Sequence, residues 1–158
     1  MSAKHQAFYA RIATNMPQRD SIHYNVREAL LKDGWQITND PYVISYGERF
    51  LFIDLGATGN ETMSQFIGAQ RQDRRIAVEI KDFRGRSAIE SLEQAIGQYM
   101  LYQLLLAQVD PAREIYLAIS DVVYDEIFSE PIGKLVIDEL PMRLVVIDLQ
   151  QTEVKQWI

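Results

Sequence analysis

The apolar and polar positions change period along the chain, and each change marks a candidate element. Residues 1–19 read as an arm or loose helix. Asp20 and Ser21 then offer N-cap oxygens to a helix that runs to Lys32 or Asp33, where Gly34 supplies a C-terminal stop. Residues 35–38, 42–46 and 50–55 read as strands of a meander, separated by turns at Asn39-Asp40-Pro41 and Gly47-Glu48. A polar, Gly-containing connection through residues 56–74 has room for a short helix at residues 63–69, after which residues 75–83 read as a central strand. Ser87-Ala-Ile-Glu90 is a capping box, in which the Ser hydroxyl takes the N3 amide proton while Glu90 reaches back. The helix it starts runs to about Gln108, where Asp110-Pro111 ends it. A buried strand at residues 114–119, helical segments near residues 122–128 and 131–139, and closing strands at residues 143–148 and 153–157 complete the chain. Strands alternating with helices in the second half predict a mixed sheet covered by helices on both faces, an α/β (α+β) domain.

Composition narrows what this domain does. With 158 residues, 47% of them hydrophobic and 24% charged, the chain is long enough to bury one core without staples, so we read residues 1–158 as a single domain. No apolar run reaches the roughly 18 to 20 residues that span a bilayer, and the amino terminus lacks a signal-peptide pattern; the expected location is the cytoplasm, away from membranes. Zero cysteines exclude disulfides, thiolate metal sites and Cys nucleophiles. Only His5 and His23 supply imidazoles, so catalysis would lean on carboxylates, Lys and a hard cation such as Mg²⁺. P-loop, dinucleotide-binding, serine-hydrolase and zincin motifs are all missing.

The net charge of −6 is uneven. Residues 1–109 balance 12 basic against 12 acidic side chains, whereas residues 110–158 hold four basic and ten acidic ones. Within the neutral part, Arg71, Arg74, Arg75, Lys81, Arg84 and Arg86 outnumber Asp73, Glu79 and Asp82. This local excess is either a phosphate-facing patch or a solvated strand edge.

Asp54 and the tripeptide Glu79-Ile80-Lys81 sit in otherwise apolar strands. Strand alternation puts Glu79 and Lys81 on one face, with Val78 and Ile80 on the other. If the strand at residues 50–55 pairs with that at 75–83, two carboxylates and a lysine converge, an arrangement suited to Mg²⁺-assisted attack of water on a phosphodiester. An acid-x-Lys tripeptide is a weak signal by itself: Glu153-Val154-Lys155 also matches, and we read it as a hairpin ion pair. The same residues also fit a buried structural ion pair.

From about Val26 onward the chain resembles the XisH family, the FdxN-element excision controlling factors. The resemblance is carried by Ala29-Leu-Leu-Lys-Asp-Gly-Trp35-Gln-Ile-Thr-Asn-Asp-Pro41, Ile53-Asp-Leu-Gly-Ala57, Ile76-Ala-Val-Glu-Ile-Lys-Asp-Phe83, Ala95-Ile-Gly-Gln-Tyr99 and Val154-Lys-Gln-Trp-Ile158. It implies a restriction-endonuclease-like fold of the PD-(D/E)xK kind and a role, with an XisI partner, in programmed excision of a DNA element. It maps the motif's acid onto Asp54 and its (D/E)xK onto Glu79-Ile80-Lys81, with Mg²⁺ or Mn²⁺ as the implied cation. Asp54 follows Ile53 where the motif has a proline, and the segment from Thr58 to Arg74 is longer than usual.

Several other residues have two readings. Glu28 is an additional metal-binding acid of such folds or, as we favour, a surface partner of Lys32 one turn on. Gln94 and Gln98 share a helix face, and Gln98 either hydrogen-bonds the site or belongs to a polar stripe beside the core. Gly97 in mid-helix predicts close approach of a neighbouring element. Tyr99, Tyr102 and Trp157 are read as core. Two functions follow: an endonuclease-like DNA-processing factor with Asp54, Glu79, Lys81 and Gln98 at its site and Arg74, Arg75, Arg84 and Arg86 on phosphates, or a non-catalytic partner-binding subunit, which the net acidity favours. Exposed strand edges also make a homodimer an expectation.

Overall fold

A computed structural model describes residues 22–47, 49–51, 65–83 and 87–158. Helix α1 (His23–Lys32) is followed by strands β1 (Gln36–Asn39), β2 (Ile44–Tyr46), β3 (Arg49–Leu51), β4 (Gln65–Arg71) and β5 (Arg74–Ile80). Helix α2 (Ala88–Val109) leads to β6 (Arg113–Ser120), a helical turn α3 (Asp121–Val123) that continues as a wider π turn (Tyr124–Phe128), helix α4 (Pro131–Glu139) and the strands β7 (Leu144–Asp148) and β8 (Glu153–Trp157).

Six strands form one mixed sheet in the order β1-β4-β5-β6-β7-β8, and β2 pairs with β3 in a separate ribbon. β5, β6 and β7 are parallel, whereas β1, β4 and β8 run antiparallel to their neighbours. A parallel pair needs a crossover, and α2 supplies the one between β5 and β6. The two faces are buried by different helices. Ile76, Val78 and Ile80 of β5 join Ile67, Ala118, Val145 and the α1 residues Val26, Ala29 and Leu30. On the other face Ala77 joins Phe66, Leu117, Leu144 and the α2 residues Leu92, Ala95 and Tyr99.

The local signals explain most of this. Gly34, with φ +89, lets α1 end in a left-handed residue, and Trp35 N–H donates back to Leu30 O at 3.0 Å. Ser87 Oγ accepts from Glu90 N–H at 3.4 Å, the N-cap half of the expected capping box. The predicted N-cap residues Asp20 and Ser21 lie outside the described residues.

Three expectations are corrected. The described part of the helix expected at residues 63–69 is a strand instead: β4 runs from Gln65 to Arg71, between β1 and β5 in the sheet. Phe66 faces the α2 layer while Ile67 and Ala69 face the α1 layer, so burial on both faces erased the alternation that identifies a strand. Gly68 in that strand admits β1 closely: a Cβ there would sit 2.9 Å from Asn39 Oδ1. The strand beginning at Arg49 does not pair with β5 over its described length. It pairs with β2, and both sides of β5 are taken by β4 and β6. Among the described residues no neighbouring element approaches Gly97, and nothing lies within 4 Å of a Cβ built on it. Among the described residues no helix is long and apolar enough to cross a membrane.

Candidate functional site

Glu79 and Lys81 stand at the carboxyl end of β5. Glu79 is opposite Phe66 of β4 and Leu117 of β6, and Lys81 N–H extends the parallel ladder by donating to Ala118 O at 3.1 Å. Because Ala77 faces α2, Glu79 two residues later shares that face, and Lys81 reaches α2 itself: its Nζ donates to Gln94 Oε1 at 3.1 Å. Both charged side chains are buried, Glu79 at 0% exposure and Lys81 at 2%. Removing two charges from water costs several kcal/mol per ion before mutual attraction and hydrogen bonds offset it. Such a pair in the core of a small domain is a marker of a functional site, although an ion-pair network produces it too.

Of the two candidate glutamines on α2, Gln94 and Gln98, it is Gln94 that holds Lys81. Their four-residue spacing placed both on one helix face without showing which stands at the level of the lysine. Gln98 Oε1 is buried and accepts no hydrogen bond among the described residues. Sequence reasoning missed Asp121. It follows the end of β6, where Ser120 Oγ caps the next turn by accepting from Val123 N–H at 3.1 Å, and its Oδ1 is likewise buried without a hydrogen-bond partner. The signal available in the sequence was its place after a strand parallel to the motif strand, because the carboxyl ends of parallel strands open onto the same side of the sheet.

The other candidates lie elsewhere. Asp54, Arg84 and Arg86 fall outside the described residues. Glu28 belongs to α1, which packs on the opposite face from Glu79; Lys32, its expected surface partner, instead donates to Gln151 O at 3.0 Å. Arg74 and Arg75 begin β5, so about 13 Å of strand separates Arg75 from Glu79. Arg74 pairs with Glu114 at 3.0 Å and Arg75 with Asp110 at 2.7 Å. The hydrogen bond from Arg74, with the charges of Arg74 and Arg143 added, holds the Glu114 carboxyl below its ordinary value despite some opposing desolvation. Arg71 also pairs inward, with Asp33, and lies 4.4 Å over the Trp35 ring. The basic segment is therefore a hairpin within the sheet whose described arginines are matched by carboxylates, and not a bare strand edge.

Two further polar groups are structural. Tyr99 OH donates to Ile115 O at 3.1 Å and accepts from Arg143 N–H at 3.0 Å, bridging β6 to the start of β7. His23 is buried against Asp40, which also accepts from Arg27 at 2.7 Å, tying α1 to the turn after β1. Tyr99 and Tyr102 are buried, as expected of core residues, and Trp157 is partly buried against Trp35 and Tyr116. No group of three or more His, Asp or Glu side chains placed to hold a metal ion occurs among the described residues.

Fold and site together define a mixed α+β domain whose central sheet carries a buried acid-x-lysine strand end beneath a long helix. The XisH protein family model matches residues 16–155, and the chain belongs to the XisH family. Among solved structures it is similar to an XisH family protein from Nostoc punctiforme PCC 73102, with 36% identity, a TM-score of 0.77, and 88% of this chain and 99% of that one covered. It is also similar to an FdxN element excision controlling factor protein from Anabaena variabilis, with 38% identity, a TM-score of 0.76, and 89% and 99% covered. A comparison with curated proteins found no match.

Proposed function

We propose that this chain acts on DNA in the controlled excision of a DNA element, through a metal-dependent phosphodiester site at the carboxyl end of β5 on a restriction-endonuclease-like PD-(D/E)xK fold. The Anabaena variabilis relative is an excision controlling factor, and 38% identity over 89% of this chain supports carrying that role across. The observation that carries the site is the burial of Glu79 and Lys81 on one strand face, with Lys81 fixed by Gln94.

The donor chemistry fits a hard cation. Glu79 offers a carboxylate, and the buried Oε1 of Gln98 is an amide oxygen with spare accepting capacity. Glu79 and Asp54 would hold Mg²⁺ or Mn²⁺, and Glu28, on the helix covering the other face, is left out of the set. When bound, such a cation supplies charge neutralisation at a phosphate. The chain's own part is positional: Glu79 fixes negative charge in a dry layer, Lys81 presents an ammonium where charge develops on the phosphate, and Gln94 holds that ammonium in place. Gln98 Oε1 can orient a water.

A second reading is a non-catalytic subunit that docks an XisI-like partner on the same fold. It is favoured by the arginines at the start of β5, which are paired with Glu114 and Asp110, and by the acidic last third of the chain. A plasmid-cleavage assay with Mg²⁺ and Mn²⁺, with and without XisI, separates the two. The enzyme reading expects wild-type cleavage that disappears in folded Glu79→Ala. Absence of cleavage under every condition, with no metal binding by calorimetry, rejects it and leaves the docking subunit.

A further inference from the structure

Helix α2 buries one side against the sheet and turns a narrow stripe outward. Glu93, Gly97, Leu101, Leu104 and Gln108 are all exposed, Leu101 at 46% and Leu104 at 66%. At about 100° per residue these five positions fall within roughly 40° of one line along the helix. Two exposed leucines beside a glycine with open space above it are an unusual use of a helix surface, because Gly in a helix interior costs about 1 kcal/mol relative to Ala. Among the described residues, nothing packs on Gly97 to repay that cost.

The stripe is complementary to itself. Two copies of α2 laid antiparallel about Leu101 bring Leu101 against Leu101, Leu104 of each copy over Gly97 of the other, and Glu93 against Gln108. The leucine fills the space that the glycine leaves, and the Gln108 amide can donate to the Glu93 carboxylate. The alternative, a parallel pairing, would stack Glu90 and Glu93 on the same residues of the second copy, four like charges together. We propose that this chain forms an isologous dimer through the outward face of α2, with its twofold axis at Leu101. A closed twofold contact uses one patch on both subunits, which is what a self-complementary stripe supplies. One helix pair lies at the small end of specific interfaces, so association is weak and concentration-dependent.

The full chain contains no cysteine, so single-cysteine variants report the geometry without background. Sedimentation of wild type across a concentration series should show a monomer–dimer equilibrium, and Leu104→Glu should raise the dissociation constant by about tenfold or more while circular dichroism stays unchanged. Under mild oxidation Leu101→Cys should cross-link to itself. Glu93→Cys and Gln108→Cys should each remain largely monomeric alone and cross-link when mixed. A wild-type chain that is monomeric throughout overturns the proposal, even if another protein binds the stripe. So does a dimer that Leu104→Glu leaves intact, or a dimer in which Leu101→Cys fails to cross-link.

Discussion

The two ends of strand β5 each carry two charged side chains and treat them in opposite ways. At the start, Arg74 and Arg75 are exposed by about two fifths or more of their side chains and each meets a partly exposed carboxylate. At the end, Glu79 and Lys81 are buried. Exposed pairs contribute on the order of 0 to 1 kcal/mol and are easily replaced, whereas buried charges are costly and persist only where the surroundings hold them or a function needs them. The contrast is the ground for the proposed site: it lies not where the sequence is richest in arginine, but where the fold tolerates charge at greatest cost.

Substitutions along this strand and its neighbours should follow the same gradient. Phe66 faces Glu79 across the β4–β5 ladder and packs 4.5 Å, edge to face, from the Tyr102 ring. Phe66→Ala should lower unfolding free energy by about 4 kcal/mol in urea titrations; a loss under 1 kcal/mol would show that this end of the core is loosely packed. Lys81→Met should cost about 3 kcal/mol, because the Glu79 carboxylate stays buried beside an apolar side chain, and the double variant Glu79→Gln, Lys81→Met should recover most of it. Equal stability of single and double variants would mean that the two charges are not energetically linked.

At the other end, Arg74→Ala should cost less than about 1 kcal/mol in the same titration. A larger loss would erase the contrast. The smallest effect is one of pH. The Glu114 carboxyl is held below its ordinary value in the folded chain, first by the Arg74 hydrogen bond. The stability it contributes is present above the unfolded carboxylate value, about 4.3, and is lost as pH falls through the lower folded one. Glu114 is one third exposed, so the contribution is a few tenths of a kcal/mol. Thermal melts of wild type and Glu114→Gln should therefore converge as the pH falls below about 4; a gap that widens on acidification would contradict the sign.

How legible this was depends on what each signal reports. Alternation places Glu79 and Lys81 on one face because residue parity alone decides it, and the capping box at Ser87 places α2 because cap chemistry is local. β4 was missed because a strand buried on both faces has no polar side to reveal its period. The neighbours of β5 were missed because strand pairing is a long-range property: Gln65 meets Ile80 through a hairpin turn at residues 72–73, a closer partner in sequence than any residue before 52. The choice of Gln94 over Gln98 as the partner of Lys81, and Asp121 altogether, were missed because helix level and strand-end proximity are set by packing. Gly97 misled for a related reason: a helix glycine signals close approach, but the sequence does not say whether the approaching element belongs to the same chain.

The most direct test compares the two ends of β5 in one reaction. Cleavage of supercoiled DNA with Mg²⁺ or Mn²⁺, with XisI present, would be measured for wild type, Glu79→Gln and the Arg74→Ala, Arg75→Ala double variant, each shown to be folded. The account predicts that Glu79→Gln abolishes cleavage while the double arginine variant retains it within about tenfold. Cleavage that survives in Glu79→Gln, or that is lost only when the arginines are removed, would contradict it.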